Sequence, residues 1–397
     1  MGPLHGVRVI ELAHIMSGPT CGMLLADMGA DVIKVEKVPG GDDSRRFGLP
    51  DINGESSAFL MMNRNKRGVA IDLKADAGKE ALRRLLMNAD VVTENYRTGT
   101  MEKLGLGYES LHSLNPALIY CEISGYGRTG PYADKPGFDL IAQGVSGLMS
   151  ITGEVGQPPI KCGSPVADIN AGILAALGVL AAYINRLKTG QGQKVDTSLM
   201  EAGIMQTYWH AASYLASGQL APPMGSANLT SAPYQAFRTR DGWINIGAAN
   251  QGNYERLLKA LDAQDLTNDP RFRTNADRMM HREALVAALT ERLRKHDTAH
   301  WLDVLDRAGL PVGPILSIAQ MLEHPQTIAR EMVVETEHAR AGRVKSLGLP
   351  IKFSDTPGAI TRPAPLLGEH SHEVLLETGY TSFEIDKLIE DGVVVTT

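Results

Sequence analysis

The chain has 397 residues, 43% of them hydrophobic, with 41 glycines and 21 prolines. At roughly 150 residues per domain this is room for two or three domains with substantial cores, and the spread of Gly and Pro marks turns and excludes a disordered tract. A formal charge of −6 argues against a nonspecific nucleic-acid or anionic-membrane binder, so neither is expected as a partner.

Residues 7–12, VRVIEL, are β-rich, and SGP breaks the chain at 17–19. TCGMLLADMGA then reads as a helix stopping at Gly29, and DVIKVE at 31–36 as a second strand, giving the strand–helix–strand unit of a parallel sheet. The rhythm continues with strands at 68–73, 90–95, 117–127 and 193–199, and helices at 76–89, about 139–149 and 168–188, then onward to Ser217. Such alternation implies an open, doubly wound α/β sheet, a large Rossmann-like domain over 1–217. Pro, Gly and Ser at 218–233 mark a linker or loop. A hairpin turning at Asp241-Gly242 and helices at about 252–261, 281–296 and 298–308 make 234–322 a smaller α+β domain. A second hairpin at 331–353 and a helical segment from 365 belong to a C-terminal stretch, 323–397.

Cys21, Cys121 and Cys162 are far apart and form no CxxC. A disulfide framework is not expected, and a reducing, cytoplasmic location is. MGPLHGVRVIEL lacks the basic and long apolar regions of a secretory signal, and the apolar stretch 171–182 is too short and too rich in Ala and Gly for a bilayer span.

There is no GxGxxG after the first strand, no GxxxxGK[ST] and no HExxH, so nicotinamide, P-loop and zinc-protease readings lack their fingerprints. His370 and His372 are two apart, which suits capping of the final helix better than metal binding; no metal is expected. Arg45, Arg46, Arg64, Lys66, Arg67, Lys74, Arg97 and Lys103 cluster near strand ends. Each is either a solvated surface charge or part of a site for an anionic, phosphate-bearing ligand at the sheet edge. The turn Asn95-Tyr96-Arg97 offers an amide, a ring and backbone N–H groups to a ligand, or is an ordinary βα loop. In GSPVADINAGILAALGVLAAY (163–183) the carboxylate of Asp168 stands at the mouth of an Ala/Leu/Gly helix. Two readings stay open: an N-cap, or a nucleophile at a positive helix end.

SGPTCGMLLADMGADVIKVE, GDDSR, NRNKRGVAIDLK, ENYRTGTMEKLGLGY, YCEISGYGRTGPYADKPGFD, VADINAG and KTGQGQKVDTSLMEA, in this order, resemble the family III CoA-transferases, the CaiB/BaiF group that includes formyl-CoA and carnitine CoA-transferases. The later segments PYQAFRTRDGWINIGAAN, AGLPVGPI and RPAPLLGEH are similar to those of the succinate–hydroxymethylglutarate (glutarate) CoA-transferases. The resemblance implies that Asp168 is the nucleophile, held ionised by the helix N-terminus, and passes through an aspartyl anhydride and an aspartyl-CoA thioester. It further implies that His14, Met16 and Ser17 line the CoA site and that Lys74 meets the 3′-phospho-ADP end. Asn95, Tyr96 and Arg97, with Lys103 beside them, would line the pantetheine channel, and Phe138 and Asp139 would border the thioester. Coenzyme A and a carboxylic acid, a dicarboxylic one by the later segments, are the implied substrates, with no tightly bound cofactor. An intertwined homodimer is implied, with the C-terminal segment returning to the large domain.

Met16 stands where the formyl-CoA branch has Gln, Val38 where it has a basic residue, and GSANLTSAPY (225–234) replaces its glycine-rich loop, which points away from oxalate and formate. An α-methylacyl-CoA racemase on the same fold would need a proton-transferring His where Phe138 stands. A non-catalytic CoA-binding protein would have no need of Asp168.

Overall fold

A computed structural model describes residues 1–48 and 50–397. Among these residues, contacts divide the chain into two units: 1–148, 162–206 and 324–397 form the first, and 149–161 with 207–323 the second.

The first unit is built on one sheet. Its strands are β1 (Arg8–Glu11), β2 (Asp31–Lys37), β3 (Arg67–Ile71), β4 (Val91–Glu94), β5 (Ile119–Ser124) and β6 (Lys194–Ser198), all parallel and ordered β3-β2-β1-β4-β5-β6. Register is set by apolar pairs such as Val9 opposite Val32 and Val91. This is the doubly wound order, with its switch point between β1 and β4. Alternation along β1 sends Val9 into one apolar layer and Ile10 into the other, so both faces of the sheet are covered. One further strand, Val394–Val395, pairs antiparallel with β3 at the sheet edge. Two residues are too short a run for periodicity to reveal.

Helix α1 (Ser17–Asp27) begins at the SGP read as a break, because proline is tolerated in a first turn, whose N–H groups have no helical acceptor. It stops before Gly29, which takes φ +101°. Helix α2 (Asp139–Val145) packs against α3 (Val166–Thr189), which lies across β5 and β6. The small residues of α3 have a packing cause. A Cβ on Gly172 would come within 2.5 Å of the Ser17 carbonyl oxygen, so α1 and α3 approach too closely for larger side chains. Ala167, Ala171, Ala175 and Ala182 are buried on that face, whereas Ile173, Leu177, Ile184 and Leu187 are exposed on another. At 24 residues α3 is long and apolar enough, by length and composition alone, to cross a membrane. The helix expected at 168–188 runs from Val166 to Thr189, well beyond the apolar stretch 171–182.

In the second unit, strands Tyr234–Arg238, Trp243–Gly247 and Val312–Pro314 form an antiparallel sheet with the second in the middle. Helices Gln251–Ala260, Arg282–Leu293 and Thr298–Arg307 pack around Phe237, Ile244, Leu257, Leu289 and Leu305. The unit is wider than 234–322. The Pro/Gly/Ser-rich stretch is a loop within it, and Gly225 donates to the Gly153 carbonyl at 2.7 Å, which ties 149–161 to that loop.

Candidate active site

A cleft opens at the carboxyl ends of β1, β4 and β5, at the switch point. Its wall carries His14, Met16, Ser17, Asn95, Tyr96, Arg97, Phe138 and Asp168 of the expected set. Lys74, Lys103 and Asp139 are not on it. Lys74 is exposed after β3, two strands from the switch point, and Lys103 is an exposed residue of the short helix Thr100–Lys103.

The first wall is the loop after β1. Ile15 sits at φ +68°, a conformation that costs a β-branched residue about 1–3 kcal/mol. Its N–H donates to both carboxylate oxygens of Asp42, at 3.1 and 3.2 Å. On the other side Asn95 clamps His14: its Oδ1 accepts the His14 N–H at 2.9 Å and its Nδ2 donates to the His14 carbonyl at 2.8 Å. The Asn95 amide is thus largely used on the protein's own backbone. The Tyr96 ring packs edge-on to His14 at 4.8 Å, and burial keeps the His14 imidazole below its usual range, hence neutral.

Beneath the loop lies a buried ionic network. Lys34 reaches Glu11 at 3.0 Å and Asp42 at 2.8 Å, and Lys66 reaches Glu11 at 2.8 Å. Arg45 pairs with Glu36, Arg64 with Asp27, and Arg67 with Asp31, Glu373 and Glu377. Four of the basic residues gathered near strand ends therefore serve the fold. Among the described residues Lys74, Arg97 and Lys103 make no ion pair.

The second wall depends on Arg128, which pattern reading passed over. Adjacent strands bring Glu94 and Glu122 into register, and the Arg128 guanidinium lies 2.8 and 3.3 Å from them. It also donates to the Tyr96 carbonyl at 3.0 Å and to Thr98 Oγ1 at 3.0 Å, fixing the turn after β4. Burial pushes Glu94 up to about 7 despite this partner. Asp42 and Arg128 each stood in a motif, GDDSR and SGYGRTG, but only the fold supplies the partners that reveal their use.

The third wall holds Asp168. Gly125 and Gly137 meet so closely that a Cβ on Gly137 would lie 2.5 Å from the Gly125 Cα, bringing Phe138 and Asp139 beside the start of α3. Asp139 Oδ1 accepts the N–H of Ala167 at 2.9 Å and of Asp168 at 3.4 Å, while its Oδ2 accepts from Gln143 at 2.7 Å. Asp139 therefore caps α3 from a neighbouring helix. This corrects the N-cap reading of Asp168 and the means expected to keep it ionised. The helix begins at Val166, so Asp168 lies inside the first turn and is not the N-cap. Nor does the helix end hold its carboxylate ionised, because the amides that would do so are engaged by Asp139. Among the described residues no hydrogen bond reaches the Asp168 carboxylate. Burial first, then the Asp139 charge, push it up to about 7. No cluster of three or more His, Cys, Asp or Glu suited to a metal occurs among the described residues. His370 accepts the Gly68 N–H through Nδ1 just before helix Ser371–Glu377.

A switch-point cleft with an unpartnered carboxylate beside it suits an enzyme that handles an acyl group on a large anionic carrier. Residues 4–371 match the description CoA-transferase family III. The chain is 40% identical to a succinate–glutarate CoA-transferase of Agrobacterium fabrum, over 94% of this chain and 95% of that one. It is 37% identical to a succinyl-CoA:glutarate CoA-transferase of Mus musculus, over 99% of this chain and 91% of the other. A solved CaiB/BaiF family protein from Brucella suis superposes with a TM-score of 0.86 at 40% identity, covering 95% of this chain and 99% of that one. The chain belongs to the family III CoA-transferases.

Proposed function

We propose that this CoA-transferase carries CoA from succinyl-CoA to glutarate or another C4–C6 dicarboxylate through covalent intermediates on Asp168. The observation that carries the reading is the half-buried, unbonded Asp168 carboxylate on the cleft wall. An Asp168 oxygen attacks the thioester carbonyl, forming a C–O bond as the C–S bond breaks and CoA leaves as thiolate. The thiolate attacks the aspartyl carbonyl of this anhydride, giving an aspartyl-CoA thioester and the donor carboxylate. The acceptor carboxylate then expels the thiolate, forming a second anhydride. Attack of the thiolate on the acceptor's carbonyl yields the new acyl-CoA and frees Asp168. Each step exchanges one activated acyl bond for another, so thioester energy is conserved. A carboxylate that lacks hydrogen bonds and titrates near 7 is more nucleophilic than a capped one. The Ala- and Gly-lined start of α3 limits water that would hydrolyse the anhydride.

His14, Met16, Ser17, Tyr96 and Arg97 take roles along the CoA path, with Lys74 and Lys103 as outer phosphate contacts. Phe138 borders the acyl group. The named relatives act on succinate and glutarate, which supports those substrates here. We assign the protein as an interlocked homodimer of the reducing cytoplasm, with no tightly bound cofactor. The exposed stripe Ile173, Leu177, Ile184 and Leu187 on α3 supports a covering partner copy. Incubation of the enzyme with succinyl-CoA and a panel of acids, followed by mass spectrometry of the CoA products, tests the assignment. Glutaryl-CoA formation that disappears in Asp168→Asn is expected. Transfer by that variant above about a tenth of the wild-type rate, a barrier change under about 1.4 kcal/mol, removes Asp168 from the mechanism.

A further inference from the structure

We propose that Asp42 is a positioning residue for the transfer reaction: it holds Ile15 in the left-handed backbone conformation and thereby shapes the cleft wall formed by His14, Ile15, Met16 and Ser17. The inference rests on the transferase reading of this cleft.

Ile15 is an unfavourable residue for its φ of +68°, since a β-branched side chain crowds the backbone there. Something must hold it, and among the described residues its N–H finds its acceptors in the two oxygens of Asp42. Asp42 is 1% exposed and is itself fixed on three sides. Lys34 Nζ lies 2.8 Å from Oδ2, the Ser44 N–H and hydroxyl donate to Oδ1 at 2.9 and 2.8 Å, and the Asp42 N–H donates to Glu36 at 2.8 Å. Burial alone would favour the protonated acid, but Lys34 and Ser44 hold it ionised, as a two-oxygen acceptor requires. Lys34 also donates to the Ala13 carbonyl at 2.9 Å, so the same buried cation grips the loop two residues earlier. With Asn95 fixing His14 from the β4 side, the segment from Ala13 to Met16 is pinned at both ends. Release of the Ile15 N–H lets the residue relax to negative φ, which turns the 15–16 peptide and moves Met16 and the start of α1 relative to the cleft. Asp42 acts through the backbone, away from the cavity lining.

The test is a double-mutant cycle of Asp42→Asn with Ile15→Gly, since glycine adopts the left-handed region without penalty. Two readouts are taken on the full-length enzyme: KM and kcat with succinyl-CoA and glutarate, and the Kd of free CoA by calorimetry. Asp42→Asn is expected to raise KM for succinyl-CoA and Kd for CoA at least tenfold while kcat falls less than threefold. In the Ile15→Gly background the same substitution is expected to cost at most a third as much. Equal cost in both backgrounds, or wild-type KM and Kd in Asp42→Asn, overturns the proposal. Should Asp42→Asn not fold, Ser44→Ala replaces it. That variant loosens Oδ1 and is expected to raise Kd at least twofold, an effect abolished by Ile15→Gly; an unchanged Kd overturns the proposal. A wild-type enzyme that binds CoA but transfers none between acids defeats the proposed reaction instead, and the Kd cycle still decides the role of Asp42. A wild-type enzyme that binds no CoA defeats both.

Discussion

Replacement of Asp168 by Asn should stabilise the protein, and increasingly so as pH rises. The carboxyl is displaced from an ordinary 3.8 to about 7 because it is buried beside Asp139 with no hydrogen-bond donor. Below pH 4 the folded and unfolded chains both hold the proton, and ionisation contributes nothing. Above it the unfolded chain releases the proton first, so native stability falls across pH 4–7 and levels off beyond the folded-state value. About three units at 1.36 kcal/mol each give roughly 4 kcal/mol, which partial exposure reduces to about 2 kcal/mol. Roughly half of that develops between pH 5.5 and 8.5. The advantage of Asp168→Asn in thermal unfolding should therefore grow by about 1–2 °C over that interval and flatten above pH 8. The same group should give kcat/KM an acid limb near pH 7. A stability difference that is constant with pH would refute the reasoning, because it would mean that the carboxylate is solvated or hydrogen-bonded in the folded protein.

Three other outcomes follow from the site. Succinate, glutarate and other C4–C6 diacids should exceed oxalate in kcat/KM by at least roughly tenfold, since about two to four methylenes against Met16 contribute up to about 0.8 kcal/mol each, and Met16→Gln should narrow the gap; oxalate as the better acceptor contradicts this view of the pocket. A chiral 2-methylacyl-CoA incubated in deuterated water should take up no appreciable α-deuterium by NMR, because Phe138 cannot transfer a proton, and rapid uptake would favour racemase chemistry. Gly172→Ala places a methyl 2.5 Å from the Ser17 carbonyl oxygen and 2.7 Å from Thr20 Cβ, so α1 and α3 must part at a cost of about 1–3 kcal/mol, read as a lower unfolding temperature; an unchanged one would show that the helices are not in close contact.

The sheet was legible in the sequence because its strands are continuous apolar runs, Val9-Ile10 and Val32-Ile33 among them, separated by helical spacing. The switch point, and with it the placement of His14–Ser17 beside Asn95–Thr98, follows from strand order, which the motif order implied through resemblance only. What escaped was pairing across long sequence separations. Nothing local marks Lys66 as the partner of Glu11, or Arg67 as that of Glu377, so those cations read as either surface charges or ligand-binding ones. Asp168 stands out in the sequence as a carboxylate in an apolar stretch, but its environment is not legible there, because the residue that occupies the helix amides is Asp139, twenty-nine positions earlier. The strain at Ile15 is a tertiary effect of Asp42 and has no signature in composition or periodicity.

The proposed mechanism carries acyl groups and CoA on Asp168. Incubation with succinyl-CoA, rapid treatment with hydroxylamine or borohydride, and peptide mapping by mass spectrometry tests it directly, since anhydride and thioester carbonyls at this residue are both electrophilic. The modification is predicted on Asp168 and absent without succinyl-CoA. Label confined to Cys162, or an active enzyme with Asp168 unmodified, would contradict the mechanism.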